Sequence, residues 1–168
     1  MSFRDEALEA NASYASAFVA TERAAPPSRR VAVLACMDAR LQPEGALGLA
    51  LGEAHVIRNA GGRVTDDAVR SLVLSSAVLG TREAAVVHHT DCGLLGATNE
   101  GLRAHVAEAT GTETDEIDEI DFLPFDDAER ALLDDVRAIT RDPRLAFDAV
   151  SGFLYDVRTG RLREVAPG

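Results

Sequence analysis

The sequence is poor in cysteine and in aromatic residues, and it has no long apolar run. Two cysteines in 168 residues are too few for a miniprotein held together by disulfides, and the length suits one domain with its own hydrophobic core. No apolar stretch approaches the roughly 18 residues of a membrane-spanning helix, so we expect no membrane partner. The first ten residues also lack the basic and apolar regions of a secretory signal, which favours a cytoplasmic location.

Acidic residues outnumber basic ones. The chain has 17 basic and 28 acidic residues, a net charge of −11, and 46% of its residues are hydrophobic. Such a chain would repel phosphate backbones, so we expect no nucleic-acid partner. The composition predicts a soluble globular protein.

Apolar residues recur at helical spacing from about 3 to 22, and a proline-containing stretch then breaks the pattern. We therefore predict an N-terminal helical arm and linker over residues 1–30. A domain over residues 31–168 follows, in which strand-like and helix-like segments alternate. The predicted strands lie at 31–36, 54–57, 83–88, 149–156 and 162–165, with the last two forming a hairpin.

This alternation predicts an α/β fold, a mostly parallel β-sheet flanked by helices on both faces. Functional sites of such sheets lie beyond the carboxyl ends of the strands, at the point where the strand order reverses. With a 2-1-3-4 order, the ends of the first and third predicted strands meet in one crevice. An acidic stretch over 110–127 has little apolar periodicity and is interpreted as a solvated loop.

Two short motifs fall at those strand ends. Cys36-x-Asp38-x-Arg40 closes the first strand, and His89-x-x-Cys92 follows the third. Two thiolates and one imidazole form a ligand set that leaves the fourth position of a tetrahedral zinc ion open, and sulfur favours zinc over magnesium or calcium. The sequence therefore predicts a zinc site at Cys36, His89 and Cys92, whose metal-bound hydroxide would be available near neutral pH.

Asp38 and Arg40 are the predicted catalytic pair. Arginine is a permanent bidentate partner for a carboxylate, so Arg40 can hold Asp38 away from the metal as an acceptor for the proton of the metal-bound water. Without that contact Asp38 could itself become the fourth ligand and close the site. The sequence leaves open which arrangement the site adopts.

The residues of the two motifs also have purely structural interpretations. Cys36 and Cys92 could be buried thiols, and Asp38 with Arg40 a structural ion pair. His88 would point away from His89 on an extended strand and is interpreted as a packing residue or one that supports a metal ligand. Asp91 could orient the turn at Gly93 or hydrogen-bond a ligand, and these two roles are not separated. Structural roles are favoured over functional ones for His55, for His105 and for the glycine turn after the second strand, residues 58–62.

Taken together and in this order, the two motifs, the segment Arg58-Asn-Ala-Gly61 and the pair His88-His89 resemble the β-class carbonic anhydrases, the short bacterial subgroup especially. The likeness runs from about Val31 to Gly96. It implies zinc at the three ligands above, an Asp38–Arg40 dyad, and reversible hydration of carbon dioxide to bicarbonate and a proton. It also implies a homodimer or homotetramer in which the N-terminal arm lies across the partner.

Two alternatives remain at this point. The same zinc ligands occur in relatives that hydrolyse carbonyl sulfide or carbon disulfide, and a protein in which Asp38 permanently fills the fourth position would bind zinc without catalysis.

Overall fold

A computed structural model describes residues 2–19, 24–112 and 115–168. Its centre is a five-stranded sheet in the order β2-β1-β3-β4-β5, which confirms the predicted α/β class and the 2-1-3-4 order. The strands are β1 (Val31–Cys36), β2 (Ala54–Asn59), β3 (Glu83–His89), β4 (Ala149–Tyr155) and β5 (Leu162–Ala166).

The first four strands are parallel, and β5 returns antiparallel to β4 at one edge. In the central pair, Val31 lies beside Glu83 and Ala35 beside Val87. Because β1 and β3 run together in this register, Cys36 and His89 emerge at the same edge of the sheet. Two-residue alternation along β3 directs His88 and His89 to opposite faces.

Helices α3 (Asp66–Val73) and α6 (Ala128–Arg141) pack on one face of the sheet. They bury a continuous core with side chains from four strands: Ala32, Leu72, Ala84, Val86, Leu132, Val136, Ile139, Val150 and Ala166. On the opposite face, Val33 and Val87 pack with Leu47 of α2 (Pro43–Leu47). Continuous apolar runs such as β1 are typical of strands covered on both sides.

Side-chain caps explain where most helices begin. Ser2 and Asp5 form a reciprocal capping box at α1 (Phe3–Ala17), and the hydroxyl of Thr65 accepts from the backbone N–H of Ala68 at α3. Thr98 caps α4 (Asn99–Thr110), and Asp127 caps α6. Each cap satisfies a backbone donor that the helix itself leaves free.

Several predicted bounds need correction. The N-terminal helix ends at Ala17 and not near residue 22, and residues 20–23 lie outside the described part of the chain. The predicted loop over 110–127 contains a short helix, α5 (Asp115–Asp118), with residues 113–114 outside the description. After α3 the chain continues in π-helical geometry over Leu74–Val78, and α2 is not among the predicted elements.

Among the described residues, no helix combines the length and the apolar character of a membrane span. The division at residue 30 into an arm with its linker and a metal-binding domain stays a prediction.

Candidate metal centre

Cys36, His89 and Cys92 converge at the carboxyl edge of the sheet. Cys36 is the last residue of β1, His89 is the last residue of β3, and Cys92 lies in the turn that follows. All three side chains are buried, and their ligand atoms lie within 4.8 Å of one another. The two thiols are free and not joined in a disulfide. The structure thus brings together the three residues that were predicted as metal ligands.

The orientation of His89 fits a metal ligand. Its Nδ1 lies 2.9 Å from the carbonyl oxygen of Thr90, so we assign the ring proton to Nδ1. Nε2 is buried and has no hydrogen-bond partner within the described ranges. A buried nitrogen lone pair that faces two thiols is an unsatisfied acceptor, which a bound metal ion would satisfy. The residues present therefore fit a soft divalent metal such as zinc.

The two thiols differ in pKa, and the shifts have opposite directions. The Cys92 thiol donates to Cys36, and with the contact to His89 this lowers the pKa of Cys36 despite its burial. The same contact raises the pKa of Cys92, and burial adds to the effect. Burial opposes protonation of His89, but the neighbouring Cys36 raises the pKa of that imidazole overall. The cluster therefore readily holds one thiolate, and metals bind the thiolate form.

Asp38 is held by Arg40 and does not belong to the ligand cluster. Asp38 Oδ1 accepts from the backbone N–H and from Nε of Arg40, at 2.9 and 3.0 Å, and Oδ2 accepts from Nη2 at 2.7 Å. Oδ2 lies 3.9 Å from Nε2 of His89. The carboxylate therefore lies beside the ligands while its charge is directed at the guanidinium.

Arg40 also keeps Asp38 ionised. Its hydrogen bonds hold the pKa of Asp38 well below the usual range of a carboxylic acid. Because the pKa is lowered in the folded state, the stabilisation is fully present above the unfolded value of about 3.9 and is lost only as the pH falls below it. Asp38 is thus an acceptor, and never a donor, near neutral pH.

The guanidinium of Arg40 binds the other ligand loop as well. Its Nη1 donates to Oδ2 of Asp91 at 2.7 Å, and Nη2 donates to the carbonyl of Asp91 at 2.9 Å. Asp91 lies between the candidate ligands His89 and Cys92 and has a left-handed backbone, with φ of 58°. Arg40 lowers the pKa of Asp91. The structure therefore assigns Asp91 a partner that neither sequence-based interpretation named.

Arg58 and Gly62 position the backbone around Cys36. Arg58, on β2, donates from Nε to the carbonyl of Cys36 at 3.0 Å and from Nη2 to the carbonyl of Asp38 at 2.7 Å. Gly62 has φ of 68°, and a Cβ there would lie 2.9 Å from the backbone nitrogen of Cys36. The glycine turn thus brings its backbone close to that of Cys36, which is a structural role of the kind predicted for residues 58–62.

His88 belongs to a buried polar cluster on the face of the sheet that α6 covers. Its Nε2 lies 3.1 Å from Oδ2 of Asp135, which also accepts from Nε of Arg63 at 2.7 Å. The His88 ring stacks on Phe125, with centroids 5.8 Å apart. Sequence reasoning missed Asp135, although it falls among the apolar positions of α6, between Leu132 and Val136. A carboxylate on the apolar stripe of a helix is the signal that could have identified it.

The other two histidines lie away from the cluster. His55, on β2, has Nδ1 2.8 Å from the hydroxyl of Ser75, and His105 is exposed on α4. Neither belongs to the candidate metal group found among the described residues.

Comparisons with known proteins agree with this geometry. A sequence model of the family described as carbonic anhydrase matches residues 31–130. The chain is 42% identical to β-carbonic anhydrase 1 of Mycobacterium tuberculosis, over 99% of this chain and 100% of that protein. It is 36% identical to a carbon disulfide hydrolase of an Acidianus strain, over 83% of this chain and 78% of that protein.

Among solved structures, the carbonic anhydrase of Streptococcus mutans superposes with a TM-score of 0.89. The two chains are 43% identical, and the match covers 98% of each. Because a family match over more than half of the chain, a relative at 42% identity over nearly its full length and the shared fold all agree, the chain belongs to the β-carbonic anhydrase family.

Proposed function

We propose that the protein catalyses the reversible hydration of carbon dioxide to bicarbonate and a proton, with zinc at Cys36, His89 and Cys92. Two sulfur ligands and one imidazole favour zinc over the oxygen-seeking divalent cations. When bound, zinc would lower the pKa of a water molecule toward about 7 and so supply the nucleophile.

One observation carries the proposal: Asp38 is bonded to Arg40 through both oxygens and stands outside the group of three converging ligands. A carboxylate used as a fourth ligand would close the site, as in a zinc protein without catalysis. The arrangement with Asp38 on Arg40 leaves room for an exchangeable fourth ligand and therefore supports an enzyme.

The protein residues have separable tasks in this reaction. Oδ2 of Asp38, the oxygen nearest His89, accepts the hydrogen of the reacting water and orients it. Arg40 keeps that carboxylate ionised and in place. Burial of the three ligands limits competition by bulk water for the metal.

The first experiment measures carbon dioxide hydration by stopped flow at pH 7.5 and 8.5, on protein whose zinc content is determined in the same preparation. We expect activity to follow zinc content. Cys92→Ser should lose zinc and activity together, because a serine hydroxyl is a poor ligand for zinc. Asp38→Asn should keep zinc and lose activity by about 100-fold or more, the lower range for a group that handles a proton.

The chain supplies a matched control in Asp142. Asp142 binds Arg144 as Asp38 binds Arg40, with Oδ1 accepting from the backbone N–H and Nε, both at 2.9 Å, and Oδ2 accepting from Nη2 at 2.6 Å. Asp142→Asn removes the same local ion pair at the end of α6, so its activity should match the unmodified protein. Unchanged hydration by Asp38→Asn, or an inactive unmodified protein with one zinc per chain, would contradict the proposal.

Carbon disulfide is the second candidate substrate, favoured by the 36% identity to a carbon disulfide hydrolase. A sulfur substrate would release hydrogen sulfide. Sulfide release by zinc-replete protein that does not hydrate carbon dioxide would support this alternative. Carbonyl sulfide would be tested in the same assay.

We also propose that the protein forms homodimers or larger assemblies through α1. Over its length α1 buries no side chain within the described chain, while Phe3, Leu8, Tyr14 and Phe18 of this segment are at least half exposed. A second copy of the chain would cover these side chains. Free thiols such as these are typical of proteins from reducing compartments, which supports a cytoplasmic location.

A further inference from the structure

Two Asp-x-Arg units of the described chain, at 38–40 and 142–144, share the same local geometry, but their arginines differ in their other contacts. Arg144 directs its side-chain hydrogen bonds to Asp142 alone among the described residues, and its side chain is 64% exposed. Arg40 makes the same contacts to Asp38 and two more to Asp91, and its side chain is 45% exposed. The Asp38–Arg40 pair therefore has a second contact, to Asp91, that the otherwise similar Asp142–Arg144 pair lacks.

The two carboxylates use different donors of Arg40. Asp38 takes Nε and one N–H of Nη2, whereas the Asp91 side chain takes Nη1 and its carbonyl takes the other N–H of Nη2. Because no hydrogen is shared, Asp91 does not compete with Asp38. It fixes the guanidinium from the opposite edge, in the fork geometry that arginine favours.

The backbone of Asp91 is arranged for this contact. Its left-handed conformation, with φ of 58°, is uncommon outside glycine and costs backbone energy, although aspartate tolerates it better than most residues. The conformation allows both the side chain and the carbonyl of one residue to meet Arg40. Arg40 thereby joins the loop after Cys36 to the loop between His89 and Cys92.

We propose that Asp91 is a positioning residue that holds Arg40 in place, and thereby keeps Asp38 away from the metal and the fourth metal position open to small ligands. The inference rests on the proposed roles of Asp38 and Arg40. It concerns a residue that does not touch the reacting atoms and acts through Arg40.

The test uses Asp91→Asn, which removes the charge and retains a residue that tolerates a left-handed backbone. Glu83→Gln is the matched control, because it removes one exposed charge from the opposite end of β3. The probe is thiocyanate, titrated at pH 8 into the cobalt-substituted proteins and followed by the visible absorption of the metal. We expect Asp91→Asn to keep full metal content and to bind thiocyanate about tenfold more weakly, because Asp38 then occupies the fourth position more often.

Hydration kinetics of the zinc proteins give a second readout. We expect kcat/KM of Asp91→Asn to fall about tenfold, since the fraction of open sites falls and each open site is unaltered. Asp91→Gly removes the carboxylate and adopts the left-handed backbone without strain, so it should behave in the same way. It replaces Asp91→Asn in both measurements if Asp91→Asn folds poorly.

Equal thiocyanate affinity and equal kcat/KM in Asp91→Asn and Glu83→Gln would overturn the inference. Loss of metal from Asp91→Asn would overturn it too, because Asp91 would then support the ligand loop and not Arg40. If the unmodified protein binds thiocyanate but does not hydrate carbon dioxide, the proposed function fails, and the thiocyanate comparison still decides the role of Asp91.

Discussion

Asp135 is a carboxylate that the fold buries with a complete set of partners. Its side chain is 6% exposed; Oδ2 accepts from Nε of Arg63, and Oδ1 accepts from the backbone N–H of Val64 at 3.1 Å. Arg63 in turn donates to the carbonyl of Leu123 at 2.8 Å. The cluster therefore joins α6 to the segment between β2 and α3 and to the loop before α6.

We expect Asp135→Ala to lower the free energy of unfolding by about 3–5 kcal/mol, because it leaves the buried guanidinium of Arg63 without its carboxylate. Asp134→Ala is the matched control. Asp134 is the preceding residue and pairs with Arg137 on the surface, where both side chains are more than half exposed, so its loss should cost at most about 1 kcal/mol. Urea denaturation measures both, and equal losses would contradict the argument.

At the scale of single residues, local spacing was enough to select the three candidate metal ligands and the Asp38–Arg40 pair. Both motifs span five residues or fewer, and strand ends bring them together in any sheet with this strand order. The contacts of Asp91 and His88 were beyond such reasoning. Arg40 is 51 positions from Asp91, and Asp135 is 47 positions from His88, so only the folded chain reveals the partners.

Among the elements, the turn after β2 sets the position of β1. Gly62 lies against the backbone of both neighbouring strands: a Cβ there would be 2.9 Å from the nitrogen of Cys36 and 3.2 Å from the carbonyl oxygen of Val87. These atoms belong to strands that cannot move without disturbing the sheet.

We expect Gly62→Ala to be more destabilising than Gly80→Ala. Both glycines have a left-handed backbone, which costs an alanine about 1–2 kcal/mol, but a Cβ at Gly80 meets no atom within 4 Å. Overpacking should add about 1–3 kcal/mol at Gly62 and displace Cys36, so that zinc content falls as well. Denaturation and metal analysis of the two variants provide the comparison. Similar losses in both would show that the backbone conformation alone matters.

Strong hydrophobic periodicity made the long helices and the strands predictable, whereas the short helices were not predicted. Helices α2 and α5 have five and four residues, too few to show a helical repeat. The π-helical turn after α3 buries Ser75 and Ser76, which follow Leu72 at helical spacing, so the spacing alone does not reveal the change in helix type. Edges such as the end of β3 depend on pairing with β4, which extends it through His89.

At the scale of the whole molecule, α1 is a helix without a partner in its own chain. A 15-residue helix is only marginally stable alone in water, even with the capping box at Ser2. Tyr14 and Phe18 contact each other, with ring centroids 5.7 Å apart, but both remain exposed.

We expect replacement of Leu8, Tyr14 and Phe18 by serine to convert the assembly to monomers, because burial of these side chains is what a second copy offers to α1. Size-exclusion chromatography with light scattering measures the mass. Replacing Ser13 and Ser16, which lie on the other face of the same helix, by alanine is the control and should leave the mass unchanged. A monomeric unmodified protein, or an unchanged mass after the triple replacement, would contradict the proposed interface.

The adjacent histidines of β3 limit how this chain can change in length. One of them faces the candidate metal ligands and the other faces Asp135, because consecutive residues of a strand point to opposite sides. A single insertion or deletion within β3 would move each of the two histidines to the opposite face of the sheet. Neither ring could then make its present contacts. Length variation is therefore tolerable in the segments that connect the elements, such as the acidic stretch between α4 and α6, and intolerable within these seven residues.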